Sequence, residues 1–179
     1  MYSDSDGGWQ LPGLPLDSDV LITATWQDAV PTVFPQHTSM DWYDWYKVMV
    51  PRSIMNQHAN RLDTEIDDAR GHLLFLTWEG LNLDGNNTPN VAGVVADLQP
   101  SSALFYASGL GLASPDLTET SGSGSGGALN LEPGSYGLSL EGPGGTCLEH
   151  SFHFLAEDGV VPVPVLEGYA TAIDVICPP

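Results

Sequence analysis

The residues with the most obvious chemistry form a short string near the C-terminal end, where Cys147, His150 and His153 recur at every third position. Thiolate and imidazole are the ligands that zinc prefers, so the string suggests a metal-dependent enzyme site. On a β-strand, however, residues three apart point to opposite faces, and structural zinc usually takes four ligands. The spacing therefore favours a strand with two unrelated histidines over a metal site.

The two cysteines, Cys147 and Cys177, flank the last two strand-like runs of the chain. We expect them to form a disulfide, because the runs that carry them have the pattern of neighbouring strands. A disulfide is typical of an oxidising compartment, whereas the alternative is a pair of buried free thiols in a cytosolic protein.

A loop rich in oxygen donors is the best candidate for a Ca²⁺ site. It reads NLDGNN, and its donor side chains are those of Asn82, Asp84, Asn86 and Asn87. The spacing does not complete an EF-hand, and Asx side chains in turns commonly bond their own backbone. We therefore favour a structural turn, expect no cofactor, and keep Ca²⁺ as the alternative.

Four aromatic residues lie close together in the stretch 42–46. They are Trp42, Tyr43, Trp45 and Tyr46. Stacked rings of this kind could form a platform that binds a carbohydrate or a peptide. They could equally pack between two modules as apolar anchors, and we favour this packing role.

Residues 122–126 read GSGSG, the densest run of possible serine nucleophiles. They lack the G-x-S-x-G pattern of a nucleophile elbow and the Lys-Ser/Thr of a phosphate loop, so we expect the run to be a flexible turn. His37, His58 and His72 are isolated in sequence, and we expect each to be a surface or partly buried polar group. We therefore predict that the protein is not an enzyme.

The charge balance is strongly acidic, with 23 Asp and Glu against 4 Lys and Arg and a formal net charge of −19. Such a surface repels phosphate backbones and anionic lipids, so we expect no nucleic acid partner and no membrane insertion. The basic residues all fall within 47–70. That segment is therefore a cationic connector that pairs with acidic sheets or a distinct element.

Many short apolar runs separated by Gly/Pro turns predict an all-β sandwich. The runs are Val20–Trp26, Val30–Phe34, Gly71–Glu79, Val91–Leu98, Ala103–Ala107, Ala128–Leu131, Ser135–Glu141, Cys147–Leu155, Val160–Val165 and Tyr169–Cys177. Its flanking prolines make Val30–Phe34 an edge or irregular strand, and Val160–Val165 is predicted as an edge segment broken by prolines. The turn Glu132–Gly134 predicts a hairpin-like connection between the two runs beside it.

One helix is predicted, over 52–62. Pro51 suits the first turn of a helix, and Ile54, Met55, His58 and Leu62 recur at spacings of three and four.

Two stretches of the chain resemble carboxypeptidase regulatory-like domains, which are prealbumin-like (transthyretin-like) Greek-key β-sandwiches. The matching residues are Asp4, Asp6, Gly7, Trp9, Leu11, Gly13, Leu14 and Pro15 in the first stretch, and Gly126, Leu129, Leu131, Pro133, Gly134, Tyr136 and Leu138 in the second. The resemblance implies tandem modules: the C-terminal strands of a first module in 1–35, an aromatic and helical connector in 36–70, and a complete sandwich in 71–179.

These observations predict a non-catalytic structural or interaction module, secreted or in the cell envelope. Residues 1–8 have neither the basic nor the apolar region of a signal peptide, so we expect the chain to be part of a longer precursor. Its expected partners are another protein or a further copy of itself, joined through unpaired sheet edges into dimers or filaments. The alternatives are a module that binds carbohydrate, peptide or Ca²⁺, and a metal-dependent enzyme on the same fold.

Overall fold

The computed structural model describes residues 11–38, 49–80, 89–149 and 158–178, with backbone alone for 148 and 149. This part of the chain is mostly β, with one short helix. The strands are β1 (Asp19–Ala24), β2 (Thr32–His37), β3 (Gly71–Trp78), β4 (Val95–Gln99), β5 (Phe105–Ala107), β6 (Ala113–Ser114), β7 (Ser125–Leu131), β8 (Gly134–Gly142), β9 (Gly145–Thr146), β10 (Leu148–Glu149), β11 (Val161–Val165) and β12 (Ala170–Ile176), and the helix is α1 (Arg52–Arg61).

The described strands form two sheets. The large sheet has the order β1-β2-β12-β3-β7-β5-β6, with β10 also paired to β12. The small sheet has the order β11-β8-β4, with β9 also paired to β8. Most neighbours are antiparallel, but β12 runs parallel to both β2 and β3.

The two sheets share one apolar core. Leu73, Phe75 and Ile173 of the large sheet belong to the same buried cluster as Leu138 and Val163 of the small sheet. Burial of side chains from both inner faces is the main stabilising term for such a pair of sheets. The coarse prediction of an all-β sandwich is confirmed to this extent.

The chain crosses from one sheet to the other at the turn 132–134. β7 pairs with β3 and β5 in the large sheet, whereas β8 pairs with β4 and β11 in the small sheet. The predicted hairpin between β7 and β8 is therefore wrong. Pro133 and Gly134 supply a change of direction, but the apolar faces of the two strands are buried on opposite sides of one core.

The helix forms a third layer on the outer face of the large sheet. Met55 of α1 is buried in a second cluster with Val30 and Ala170, and Ile66 and Leu74 pack against that cluster. Pro51 immediately precedes the helix, as its fixed φ allows. The predicted helix is confirmed, and its amphipathic spacing has a physical cause in this contact.

Two of the basic residues in 47–70, Arg52 and Arg70, form local ion pairs. Arg52 lies 2.8 Å from Asp68, and Arg70 pairs with Asp67 and with Glu132 in the cross-sheet turn. These two cations meet acidic groups of the loop and of a sheet corner, which agrees with the prediction of a cationic segment that pairs with acidic groups.

β2 lies inside the large sheet, between β1 and β12, so the edge alternative predicted for that stretch is wrong. β2 contains one proline, Pro35, which is tolerated because the described pairs of β12 with β2 are those at Thr32 and Val33. Pro35 lies beyond those pairs, opposite Leu21 of β1, where it has no ladder bond to donate.

The same sheet contains strands of both predicted modules, since β1 lies within 1–35 and β12 and β3 lie within 71–179. The division at 36–70 stays a prediction.

Candidate functional site

Several residues proposed as sites lie outside the described part of the chain. They are Trp42, Tyr43, Trp45 and Tyr46 of the aromatic group, Asn82, Asp84, Asn86 and Asn87 of the Ca²⁺ loop, and His150 and His153 of the histidine string. Their predicted roles stay predictions.

The two cysteines form a disulfide, as predicted. Cys147 and Cys177 are bonded to each other, and both are almost fully buried. The backbone of β10, which follows Cys147, pairs with β12, which precedes Cys177. Because its sulfur is oxidised, Cys147 offers no thiolate to a metal ion. Within the described ranges, no group of three or more His, Cys, Asp or Glu side chains could hold a metal ion.

His58 joins the helix to the far end of the large sheet. Its Nδ1 accepts a hydrogen bond of 3.0 Å from the backbone N–H of Ala113, in β6. Its ring lies against Phe105 of β5, with centroids 5.2 Å apart. The ring is buried, and desolvation together with the nearby Arg61 lowers its pKa below the ordinary value. A neutral ring with a proton on Nε2 satisfies this contact.

His72 has the same role on β3. Its Nδ1 accepts a hydrogen bond of 3.2 Å from the N–H of Asn130, in β7, and burial is the main cause that lowers its pKa. Asn130 has a left-handed backbone (φ 56°), which an Asn tolerates better than most residues. Its side-chain oxygen accepts the N–H of Asp67 and its amide donates to the carbonyl of Glu65. The pair therefore fixes the connector loop against the sheet.

The serine run links the start of β7 to the end of β5. Ser121 and Ser123 both donate to the carbonyl of Ala107, at 2.6 and 3.1 Å. The hydroxyls of Ser123 and Ser125 lie 3.0 Å apart. Ser125 already belongs to β7, so the run is not the flexible turn that its composition suggests. These hydroxyls form a ladder that holds β7 near β5.

Sequence reasoning did not connect His37 with Asp17 and Asp19. Nδ1 of His37 lies 2.8 Å from Asp19, and Nε2 lies 3.1 Å from Asp17. The hydrogen bond to Asp19 is the largest cause that raises the pKa of His37. The register of β1 on β2, which places Asp19 opposite His37, creates this contact. The isolated positions of these residues in the sequence carry no signal for it.

The two outer edges of the small sheet are closed, each in a different way. At β4, Val94 and Thr120 exchange hydrogen bonds, and the N–H of Ala96 donates to the hydroxyl of Tyr106 at 2.9 Å. At β11, Pro162 and Pro164 occupy the alternate positions whose N–H groups would point outwards. Each edge therefore lacks part of the row of free backbone donors that an added strand would pair with.

The edge of the large sheet at β1 is different. Just before β1, the N–H of Thr38 donates to the carbonyl of Ser18, so this pair is hydrogen-bonded across the two strands. Hydrogen-bonded and non-bonded pairs alternate along an antiparallel ladder. The backbone groups of Asp19, Leu21 and Thr23 therefore point away from β2.

Apolar side chains accompany this edge. Leu21 is 44% exposed, and Leu16 and Trp26, which flank the strand, are 71% and 65% exposed. On the opposite face Val20 and Ile22 are only partly buried. An edge with intact backbone donors and apolar side chains on both faces is the feature of a strand-addition surface.

No family model, curated protein or solved structure matches the chain. No helix in the described residues is long and apolar enough to cross a membrane.

Proposed function

We propose that this chain is a non-catalytic structural and interaction module of a secreted or cell-envelope protein. The observation that carries the proposal is that the described side chains with the most reactive chemistry make structural contacts. His58 and His72 accept backbone hydrogen bonds between layers, and Cys147 is held in a disulfide. Groups committed in this way are unavailable as bases, nucleophiles or metal ligands.

The proposed cellular location rests on the disulfide and on the net charge of the chain. A buried disulfide forms and persists in oxidising compartments, which supports a location outside the cytosol. A net charge of −19 keeps such a module soluble and disfavours nucleic acid as a partner. Both features suit an extracellular or periplasmic protein.

The fold proposed for the module is the prealbumin-like Greek-key sandwich of carboxypeptidase regulatory-like domains. Two facing sheets with one core, and a chain that changes sheet at 132–134, support this kinship. In such a module the sandwich is a rigid spacer, and its edges and loops are the surfaces that meet partners.

Metal analysis of the purified protein tests the proposal, together with thermal melts in EDTA and in excess Ca²⁺. We expect far less than one equivalent of bound metal and the same melting temperature in both buffers, because the described core is held by apolar burial and a disulfide. One equivalent of metal, with a lower melting temperature after chelation, would contradict the non-catalytic structural role and favour a metal or Ca²⁺ module.

A further inference from the structure

We propose that β1 is the surface through which two copies of this chain join, edge to edge and antiparallel, so that the two large sheets become one. The inference rests on the proposed interaction role and names its partner. The described edge strands differ in length and in the backbone donors that they expose. The edges at β4 and β11 are capped or lack donors, and β6, β9 and β10 are two residues long. Among the described strands, β1 is the edge of useful length with outward-pointing donors.

The side chains of β1 are complementary to those of a second, antiparallel copy of β1. In a two-fold antiparallel pair, opposite residues lie on the same face of the joined sheet. A register with Leu21 opposite its own copy sets Val20 opposite Ile22, so that apolar side chains meet on both faces. It also makes Leu21 a hydrogen-bonded pair with its copy, as the outward direction of its backbone requires.

The acidic charge of the chain opposes the association of two copies. Each copy carries a net charge of −19, so association must overcome mutual repulsion. In this register Asp19 lies opposite Thr23, and the two Asp19 carboxylates are at opposite ends of the interface. Moreover, the ring of His37 hydrogen-bonds the Asp19 carboxylate, 2.8 Å from its Nδ1. The paired β1 strands therefore add little electrostatic repulsion, and the remaining long-range repulsion between the two copies is screened by salt.

Sedimentation velocity over a range of protein and salt concentrations tests the proposal. We expect a reversible monomer–dimer equilibrium that shifts towards dimer as salt rises. Leu21→Lys should weaken dimerisation by about tenfold or more, because like charges directly opposite each other are destabilising. Val95→Lys is the matched control: Val95 is a 48% exposed apolar residue on the closed β4 edge, and the charge change is the same. It should leave dimerisation unchanged or slightly stronger.

Oxidative cross-linking tests the register. Leu21→Cys should form a disulfide-linked dimer, because hydrogen-bonded antiparallel pairs have a Cα separation of about 5.5 Å, within the range of disulfides. Thr23→Cys should cross-link poorly, because Thr23 faces Asp19 of the other copy.

Three results would overturn the proposal: a monomer under all conditions, equal weakening by Leu21→Lys and Val95→Lys, or a dimer that forms only after removal of residues 1–10. The last would assign the edge to the chain's own N-terminal segment. Each is distinguishable from failure of the proposed function, which the metal analysis reports independently.

Discussion

The imidazole of His58 accepts a hydrogen bond from the backbone N–H of Ala113, 3.0 Å from its Nδ1. This contact joins the helix α1 to β6, fifty-five positions away along the chain. It satisfies an amide at the end of a short strand that has no described neighbour on its other side. The histidine therefore acts as a structural acceptor between two layers.

Replacing His58 with Leu should lower the free energy of unfolding by about 1–3 kcal/mol, because the buried N–H of Ala113 would lose its acceptor. His58→Asn is the matched variant, since its side-chain oxygen can take the place of Nδ1. Urea unfolding of both proteins measures the difference. Equal losses for Leu and Asn would show that the acceptor is unimportant and that packing on Phe105 is the main contribution.

The stability of the protein should fall as the pH drops below about 6.5, the ordinary pKa of a histidine. Burial lowers the pKa of both His58 and His72, so the unfolded chain binds protons there before the folded protein does. His37 acts in the opposite direction: its raised pKa adds stability below 6.5 that is lost as the pH rises through its folded value.

Urea unfolding between neutral and mildly acidic pH measures this dependence. His72→Asn should make the fall in stability shallower, and His37→Asn should make it steeper. A pH dependence that neither variant changes would contradict these assignments.

Reduction of the disulfide should cost about 3 kcal/mol of unfolding free energy, because the bond between Cys147 and Cys177 closes a loop with a sequence separation of 30. Urea unfolding with and without reductant gives the value. The double variant Cys147→Ala with Cys177→Ala is the control, and its stability should not respond to reductant. A wild-type protein that is equally insensitive would show that the disulfide does not form in solution.

Gly126→Ala should destabilise the protein by about 1–3 kcal/mol through overpacking. A Cβ at Gly126 would lie 2.5 Å from the ring of Phe75 and 2.8 Å from the carbonyl of Phe105. Gly122→Ala is the control in the same glycine and serine run, because a Cβ there meets nothing within 4 Å. Thermal melts of the two variants compare them directly. Equal effects would mean that the run is flexible, as its composition suggests.

Local patterns in the sequence were sufficient for much of the fold. The helix follows from spacings that include Met55 and His58, and the buried strand β3 follows from a continuous apolar run. The disulfide follows from two cysteines on runs with the pattern of neighbouring strands. For the helix and for β3 the physical cause lies within a few residues of the signal, whereas the disulfide also depends on the pairing of β10 with β12.

Long-range pairing was not visible in the same way. The residues of the turn 132–134 predict a change of chain direction. Only the tertiary structure shows that β8 joins the other sheet. The contact of His37 with Asp17 and Asp19 depends on the register of β1 on β2. Likewise, the capping of β4 by Tyr106 requires the two sheets to be in place. Turn chemistry and periodicity carry no information about which distant strands meet.

Among the described residues, His58, His72 and the two cysteines serve the structure of the protein, and the protonation state of the two buried histidine rings tests this role. Long-range ¹H–¹⁵N correlation spectra of the rings at neutral pH should show His58 and His72 protonated on Nε2, with Nδ1 as acceptor, and both should titrate below about 6.5. Mixed tautomers, with titration at the ordinary histidine pKa, would show accessible rings and contradict the account.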